Sequence, residues 1–502
     1  MQVVLIVVPI MDSLRGGKPF PIAQDLVPTC PTLAIYLLAS VLREHGHDVS
    51  VVDLTAEGTN NIGRWVTLIS KADLVGITAT SLSWPTALSV VEQIRKAEIQ
   101  VPIVVGGVHP TMFADYILRA FPAINFVIRG EGEKALVALC QALERPSELA
   151  NVPNLSWSKG EQIVHNPPAP LLTIDEWVSL PLPAYDLLPD KVYPTFALQS
   201  SRGCSFNCSF CSTTNRRSYR ALPPLAFVDI LQGTLSLVGD RVPTGVVQLV
   251  DDEWSLDWRR AVATLREIER RGINVKLIYD SRANDFLHEE FAEAVAPYTE
   301  QFLVGAESGY DEGLARIGKG TTVEKIERCA QVLVKYGIAG RAVFSFILGL
   351  PWEGKEEVLK TVRFASELAL KYGVQALLQW YCQIPGSLLW DESWRRGDVT
   401  PAMYDEFGFF RNLYLFKTGV RLSPGEIWEV MNTIATCHSL VVLFGRDKMT
   451  MNYRPPAAIE LHYPPWLDTT RPAPGDQLIA RIANVRAPDR GAREHTKAVS
   501  AR

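Results

Sequence analysis

Long apolar runs are missing from this 502-residue chain. The opening MQVVLIVVPI is apolar from Val3, but it is far shorter than the about 20 residues a membrane span needs. It also lacks the basic leader of a signal peptide, so it reads as a buried first strand and the protein as cytoplasmic. A charge excess is missing too. A formal net charge of −5 gives no reason to expect nucleic acid or another polyanion as partner. Cysteine is scarce: five of the eight (Cys30, Cys140, Cys329, Cys382, Cys437) are scattered, which excludes a disulfide scaffold. Internal repeats are absent. What remains is globular composition, 47% hydrophobic and 21% charged, in a chain long enough for two to four domains.

Residues 1–145 alternate short apolar runs with helical patterns. The strand candidates are Val3–Val8, Val49–Leu54, Leu74–Thr78, Ile103–Val105 and Phe126–Ile128. Nearly all-apolar strands joined through helices predict a parallel sheet covered on both faces, and five strands fit a flavodoxin-like, doubly wound order. Gly46 is placed to cap the helix at about 32–45. The long loop from Ile10 to Pro31 follows the first strand, where ligands of such folds bind. Residues 146–193 are a proline-rich linker expected to form small strands and a covering strap. Residues 194–386 contain a second alternation, with strands at Phe196–Ser200, Val246–Val250, Val275–Tyr279, Phe302–Gly305, Ala342–Leu348 and Ala376–Trp380. Six units predict an open, partial (β/α)6 barrel. Residues 387–470 read as a mostly helical, Trp-rich module, and 471–502 as a disordered tail.

Three cysteines cluster in SSRGCSFNCSFCSTTNRR: Cys204, Cys208 and Cys211, spaced Cys-x3-Cys-x2-Cys directly after a strand. Thiolates are soft ligands that suit zinc or iron–sulfur clusters. Zinc wants a fourth ligand, and the nearest histidines, His165 and His288, are distant in sequence. A redox pair of Cys208 with Cys211 leaves the x3 spacing unexplained. Three thiolates can hold a [4Fe–4S] cluster with one iron open to a further ligand.

Cys204, Cys208, Phe210 and Cys211 resemble the CxxxCxΦC motif of radical S-adenosylmethionine enzymes, placed after the first barrel strand as in that family. The resemblance covers roughly residues 195–385. It implies that the open iron chelates S-adenosylmethionine, whose cleavage yields a 5′-deoxyadenosyl radical for hydrogen abstraction. It also implies an external electron donor such as flavodoxin or ferredoxin. Asp251 and Asp252 in VDDEW, Arg282 in SRAN, Glu307 and Ser308 in GAESG, and Ile347 in FILGLPWE end successive strands. Together with Phe210 they are the residues the family template assigns to S-adenosylmethionine. Asp251 or Asp252 could equally cap a helix, Arg282 be a surface cation, and Ile347 belong to the core. Arg202, Arg216 and Arg217 divide between cofactor contacts and loop charge.

A flavodoxin-like sheet can hold flavin, act as a receiver module or bind cobalamin. ITATS with Thr80 and Ser81, VVGGVHPT with Gly106, Gly107, Val108 and His109, and VIRGEGE with Gly130 and Glu131 resemble the cobalamin-binding domain that precedes many radical S-adenosylmethionine domains. The usual D-x-H-x-x-G after the first strand is absent: the loop reads MDSLRGGKPF, and no histidine there can ligate cobalt. The resemblance as a whole is to the cobalamin-binding radical S-adenosylmethionine family. It implies methylation of a carbon, or less often a phosphorus, of a specialised metabolite or peptide. A ring-forming cyclase is an alternative, and a non-catalytic cobalamin or iron–sulfur sensor is another. Cys382 could relay hydrogen or be a buried thiol. Trp380, Trp390, Trp394 and Trp428 could line an apolar pocket or be core.

Overall fold

The computed structural model describes residues 1–15, 18–21, 30–190, 192–213, 216, 218–242, 244–406 and 419–443. Its first sheet has five parallel strands, β1 (Gln2–Val7), β2 (Asp48–Asp53), β3 (Leu74–Thr78), β4 (Ile103–Gly106) and β5 (Phe126–Ile128), in the order β2-β1-β3-β4-β5. That is the flavodoxin-like order expected. The apolar strands split their side chains by alternation. Val4, Ile6, Val75, Ile77, Val105 and Val127 pack under α2 (Trp84–Lys96) and α3 (Val108–Ala120). Val3, Leu5, Val7, Leu74, Val104 and Ile128 pack under α1 (Leu33–Glu44) and α4 (Glu133–Glu144). Gly46 follows α1 at φ +80°, the left-handed turn that ends the helix.

The linker does more than strap. Its strands β6 (Leu155–Lys159) and β7 (Gln162–His165) extend the first sheet antiparallel beyond β5, so the sheet runs past residue 145. Trp177, Tyr185 and Leu188 then enter the core of the second sheet. After the first strand, Met11–Arg15 pairs with Lys18–Pro21 as a hairpin.

The second sheet is wholly parallel, in the sequential order β8 (Phe196–Leu198), β9 (Val246–Leu249), β10 (Lys276–Arg282), β11 (Thr299–Glu307), β12 (Ala342–Leu348), β13 (Gln375–Trp380). This is the open (β/α)6 arrangement. Leu198, Val247, Tyr279, Phe302, Val304, Phe344 and Phe346 form the outer core beneath the helices. The alternate positions face the lumen: Gln248, Ile278, Asp280, Leu303, Gly305, Ser345, Ile347 and Gln379. A closed barrel fills that space with branched apolar side chains; here small and polar residues leave it open.

In the C-terminal module, α8 (Pro424–Leu443) packs on α6 (Lys355–Tyr372) through Ile427, Val430 and Ile434 against Val358 and Val362; α5 (Pro224–Val238) follows the cysteine loop in the chain, and α7 (Leu388–Arg396) opens the module. Trp390 and Trp394 pack against the first domain, and Trp380 and Trp428 lie beside the core formed by α6 and α8. Trp390 stacks on Trp394, centroids 4.9 Å apart, and meets Phe113 of α3 at 5.7 Å. Trp380 lies where a Cβ on Gly349 would touch it, and Trp428 is half-buried beside α6. Residues 444–470, the 471–502 tail and Arg217 lie outside the described residues.

Candidate active site

The cysteine loop leaves the end of β8 and is closed at its base by an antiparallel ribbon, Ser201–Arg202 against Arg220–Ala221. Gly203 at φ +82° makes the turn into Cys204, which bridges to Arg216. Further along, the loop is pinned by Ser209 N–H to the Ile317 carbonyl (2.9 Å) and by Leu389 N–H to the Ser209 carbonyl (3.0 Å). Cys208 is buried, its Sγ 3.7 Å from the Gly318 carbonyl and 3.7 Å from Arg282 Nη1. Cys204 and Cys211 are half-buried, and desolvation raises both thiols. The charge of Cys208 adds to the rise at Cys211, and that of Cys211 to the rise at Cys204. Among the described residues, no three His, Cys, Asp or Glu side chains converge as one metal ion requires. Two buried donors beside the triad, Arg282 Nε and Ser209 Oγ, have no partner. Three soft donors and orphaned polar atoms beside them suit an iron–sulfur cluster with a ligand next to it.

The strand-end residues divide on inspection. Asp251 was expected to face a ligand. Its carboxylate instead accepts Ser200 N–H (2.6 Å), Ser200 Oγ (2.6 Å) and Ser201 Oγ (2.8 Å), fully buried, and so ties β9 to β8. Asp252 accepts Gly203 N–H (2.7 Å) and the Thr213 hydroxyl, holding the cysteine loop from both ends. The Arg282 guanidinium lies 3.6 Å from the Phe206 ring centroid and donates to the Lys319 carbonyl. Glu307 sits at φ +68° after a bulge in β11 and pairs with Lys319 Nζ at 2.8 Å, both side chains buried. Gly305 permits this: a Cβ there would come within 2.5 Å of both partners. Ser308 was expected at the cofactor but is fully buried, its hydroxyl directed to the Tyr310 carbonyl (3.4 Å) in the packing of Gly309 and Gly313. Phe210 is half-buried, 5.9 Å from the Lys319 ammonium, and Ile347 is half-buried on the lumen face. Cys382 follows β13; its Sγ reaches the Trp380 carbonyl (3.7 Å), and burial pushes the thiol up to about 12.

Glu253 and Lys319 were not singled out in the sequence. Ser255 Oγ lies 2.8 Å from Glu253 and 2.7 Å from Asp285. One hydroxyl cannot donate to both, and burial raises both carboxyls, Glu253 further by the charge of Asp285. Both acids are held above the ordinary carboxyl range, and the charge of Glu253 reaches Cys204.

Beyond the loop a cavity of about 560 Å³ joins the two sheets. Within the first domain it is an apolar slot between the sheet (Leu5, Val104, Ile128) and helices α1 and α4 (Ile35, Leu38, Leu136). It opens past Gly106, Gly107, Val108, Gly130 and Glu131 toward Gln199, Arg202, Val250 and Asp252 of the barrel. Interiors are otherwise close-packed, so such a slot is a binding cavity. Thr111 Oγ1 knits its rim, donating to the Gly107 carbonyl (2.7 Å) and accepting Gly130 N–H (2.9 Å). Thr80, Ser81 and His109 do not line it. Thr80 caps its own turn with Ser83, and Ser81 Oγ is 3.0 Å from His109 Nδ1. The His109 ring is fully buried against Trp84 (4.8 Å) and Phe113 (4.8 Å), on the far side of the sheet from α1. Among the described residues no histidine lines the cavity.

Residues 21–140 match the B12 binding domain model, and residues 198–365 the radical SAM superfamily model. An uncharacterised methyltransferase of Pyrococcus horikoshii is 33% identical over 374 residues, spanning 72% of this chain and 78% of the relative. The chain belongs to the cobalamin-binding radical S-adenosylmethionine family. An anaerobic magnesium-protoporphyrin IX monomethyl ester cyclase of Rubrivivax gelatinosus is 27% identical, over 67% of this chain and 62% of the relative. The fold is that of the radical S-adenosylmethionine methyltransferase TsrM of Kitasatospora setae, solved with cobalamin and a [4Fe–4S] cluster: TM-score 0.64, 18% identity, 87% of this chain and 88% of that one.

As a member of this family the protein is an enzyme whose cofactors are a [4Fe–4S] cluster, S-adenosylmethionine and cobalamin. The cysteine loop fits the first two, and the slot, with Gly76 and Gly106 among its lining residues, fits the third. Among the described residues no helix is long and apolar enough to cross a membrane.

His109 yields a pH prediction. Burial lowers it to about 3, so the folded protein holds it neutral. Below the ordinary value of about 6.5 the unfolded chain takes up a proton that the folded one refuses. Its stabilisation is complete above that value and erodes as pH falls toward about 3. Near pH 5 the loss from this group is about 2 kcal/mol. Unfolding midpoints between about pH 7 and pH 5 should diverge less in His109→Phe than in wild type; an equal divergence would refute the assignment.

Proposed function

We propose that this enzyme is a methyltransferase acting on a carbon, or a phosphorus, centre of a specialised metabolite or peptide. The observation that carries the reading is the single cavity that joins the slot of the first domain to the barrel end bearing the cysteine loop. When bound, the cluster with S-adenosylmethionine supplies hydrogen abstraction, and cobalamin supplies the methyl group. The chain's own part is positional. Cys204, Cys208 and Cys211 hold the cluster, and Asp252 fixes their loop. Arg282 and Lys319 offset the negative charge gathered there, with the orphaned Nε of Arg282 open to a carboxylate. Gly106, Gly107, Val108 and Gly130 leave backbone room at the slot's mouth. A flavodoxin or ferredoxin supplies the electron.

The substrate takes the open lumen. Asp280 is exposed there, and burial of its surroundings, then Glu307 and Asp251, raise it to about 6, with no cation among the causes. Charge-assisted hydrogen bonds contribute about 1.5–3 kcal/mol, so Asp280→Asn should raise substrate KM about tenfold or more. Cleavage of S-adenosylmethionine should be unchanged; an unaltered KM would remove Asp280 from the substrate site.

Anaerobic reconstitution with iron, sulfide and hydroxocobalamin, followed by methyl-labelled S-adenosylmethionine and candidate substrates, tests the function. Label in the product is expected. Normal turnover by cobalamin-free protein would overturn the reading. The similarity to the Rubrivivax cyclase favours a second one, ring formation, which gives an unlabelled product. A sensor would leave S-adenosylmethionine uncleaved.

A further inference from the structure

The carboxylate of Glu131 stands where the two domains meet. It accepts Arg202 Nη1 (3.1 Å), Arg220 Nη2 (2.5 Å) and Leu172 N–H (2.8 Å). Arg202 also pairs with Glu133 (2.7 Å) and lies over the Trp177 ring, 4.6 Å from its centroid. All four charged side chains are largely buried. Arg202 and Arg220 face each other in the ribbon that closes the base of the cysteine loop. Glu131 and Arg202 also line the cavity.

A ribbon of two residues per strand cannot hold its register alone. Its two arginines are held instead by one carboxylate from the other domain, in the directional geometry that guanidinium and carboxylate impose. A group entering the cavity therefore touches the side chains that set the root of the cysteine loop. We propose that Glu131 is a positioning residue that registers the cysteine loop against the cobalamin cavity, so that filling either cofactor site alters affinity at the other. This rests on the two-cofactor reading above. Such coupling is reciprocal, and in its usual range amounts to about fivefold or more.

The test uses holoenzyme. S-adenosylmethionine is titrated into reduced, cluster-loaded protein with and without hydroxocobalamin, and binding is read from the change in the cluster's paramagnetic resonance signal. In wild type the two dissociation constants should differ about fivefold or more. In Glu131→Gln, compared with wild type at matched iron and cobalamin per chain, they should converge. Asp405→Asn breaks another contact between modules, with Trp84 (2.8 Å) and Tyr116, far from the cysteine loop in the chain. It should preserve the wild-type ratio, which a general loosening of the protein would not. If Glu131→Gln does not fold, Arg220→Gln carries the same readout. Equal constants in wild type, or an unchanged ratio in the variant, would overturn the proposal. Wild type that binds no cobalamin would instead sink the two-cofactor reading beneath it.

Discussion

Cys208→Ala should leave the reconstituted protein with background iron and no cleavage of S-adenosylmethionine. Cys208 is the buried member of the triad, between the Gly318 carbonyl and the Arg282 guanidinium. Its removal leaves two half-buried thiols, too few to retain a cluster. Water cannot substitute, because the position is buried against the Gly318 carbonyl and the Arg282 guanidinium. Iron and sulfide content and the cluster's absorbance are the measurements. Cys382→Ala is the counterpart: that thiol stays protonated under burial, and iron content should not change. Retention of a full cluster by Cys208→Ala would refute the ligand assignment.

The first sheet was legible because strands covered on both faces are apolar, as Val3–Val7, Leu74–Ile77 and Ile103–Val105 are; the second was legible from its buried alternate positions, such as Phe302, Val304, Phe344 and Phe346. The cysteine spacing was legible because ligand chemistry fixes it locally. Other features depended on partners distant in the chain. Asp251 and Asp252 are neighbours with opposite surroundings, one consumed by Ser200 and Ser201 and the other at the loop and cavity. Strand alternation decides which is which, and residue type does not. His109 shares a motif with Gly107 but starts a helix that turns its ring to the opposite face. Glu131 looked like a cofactor contact because nothing nearby reveals Arg202 and Arg220, 71 and 89 residues on. Small strands were expected in the linker, but surrounding prolines hid their positions, Leu155–Lys159 and Gln162–His165, and their addition to the first sheet.

Lys319→Met should destabilise the barrel by about 3–5 kcal/mol, the cost of leaving a buried charge without its partner. Glu307 and Lys319 expose 9% and 7% of their side chains, so water cannot replace the ammonium. Glu307 cannot easily swing away, because the bulge after Gly305 and its positive φ fix the backbone from which it projects. Asp280, on the neighbouring strand β10, is a second acid close by. For a barrel of this size the unfolding midpoint should fall by roughly 6–20 °C. The double variant Glu307→Gln, Lys319→Met removes both charges and should recover most of that loss, because the penalty belongs to the orphaned charge more than to the missing attraction. Thermal unfolding of cluster-free protein measures this without interference from iron. If the double variant is no more stable than Lys319→Met, the ion pair is not what the Lys319 substitution disrupts. If the double variant is stable but no longer binds S-adenosylmethionine, the pair at the end of β11 serves the cofactor, and its strained backbone is retained for function rather than for the fold.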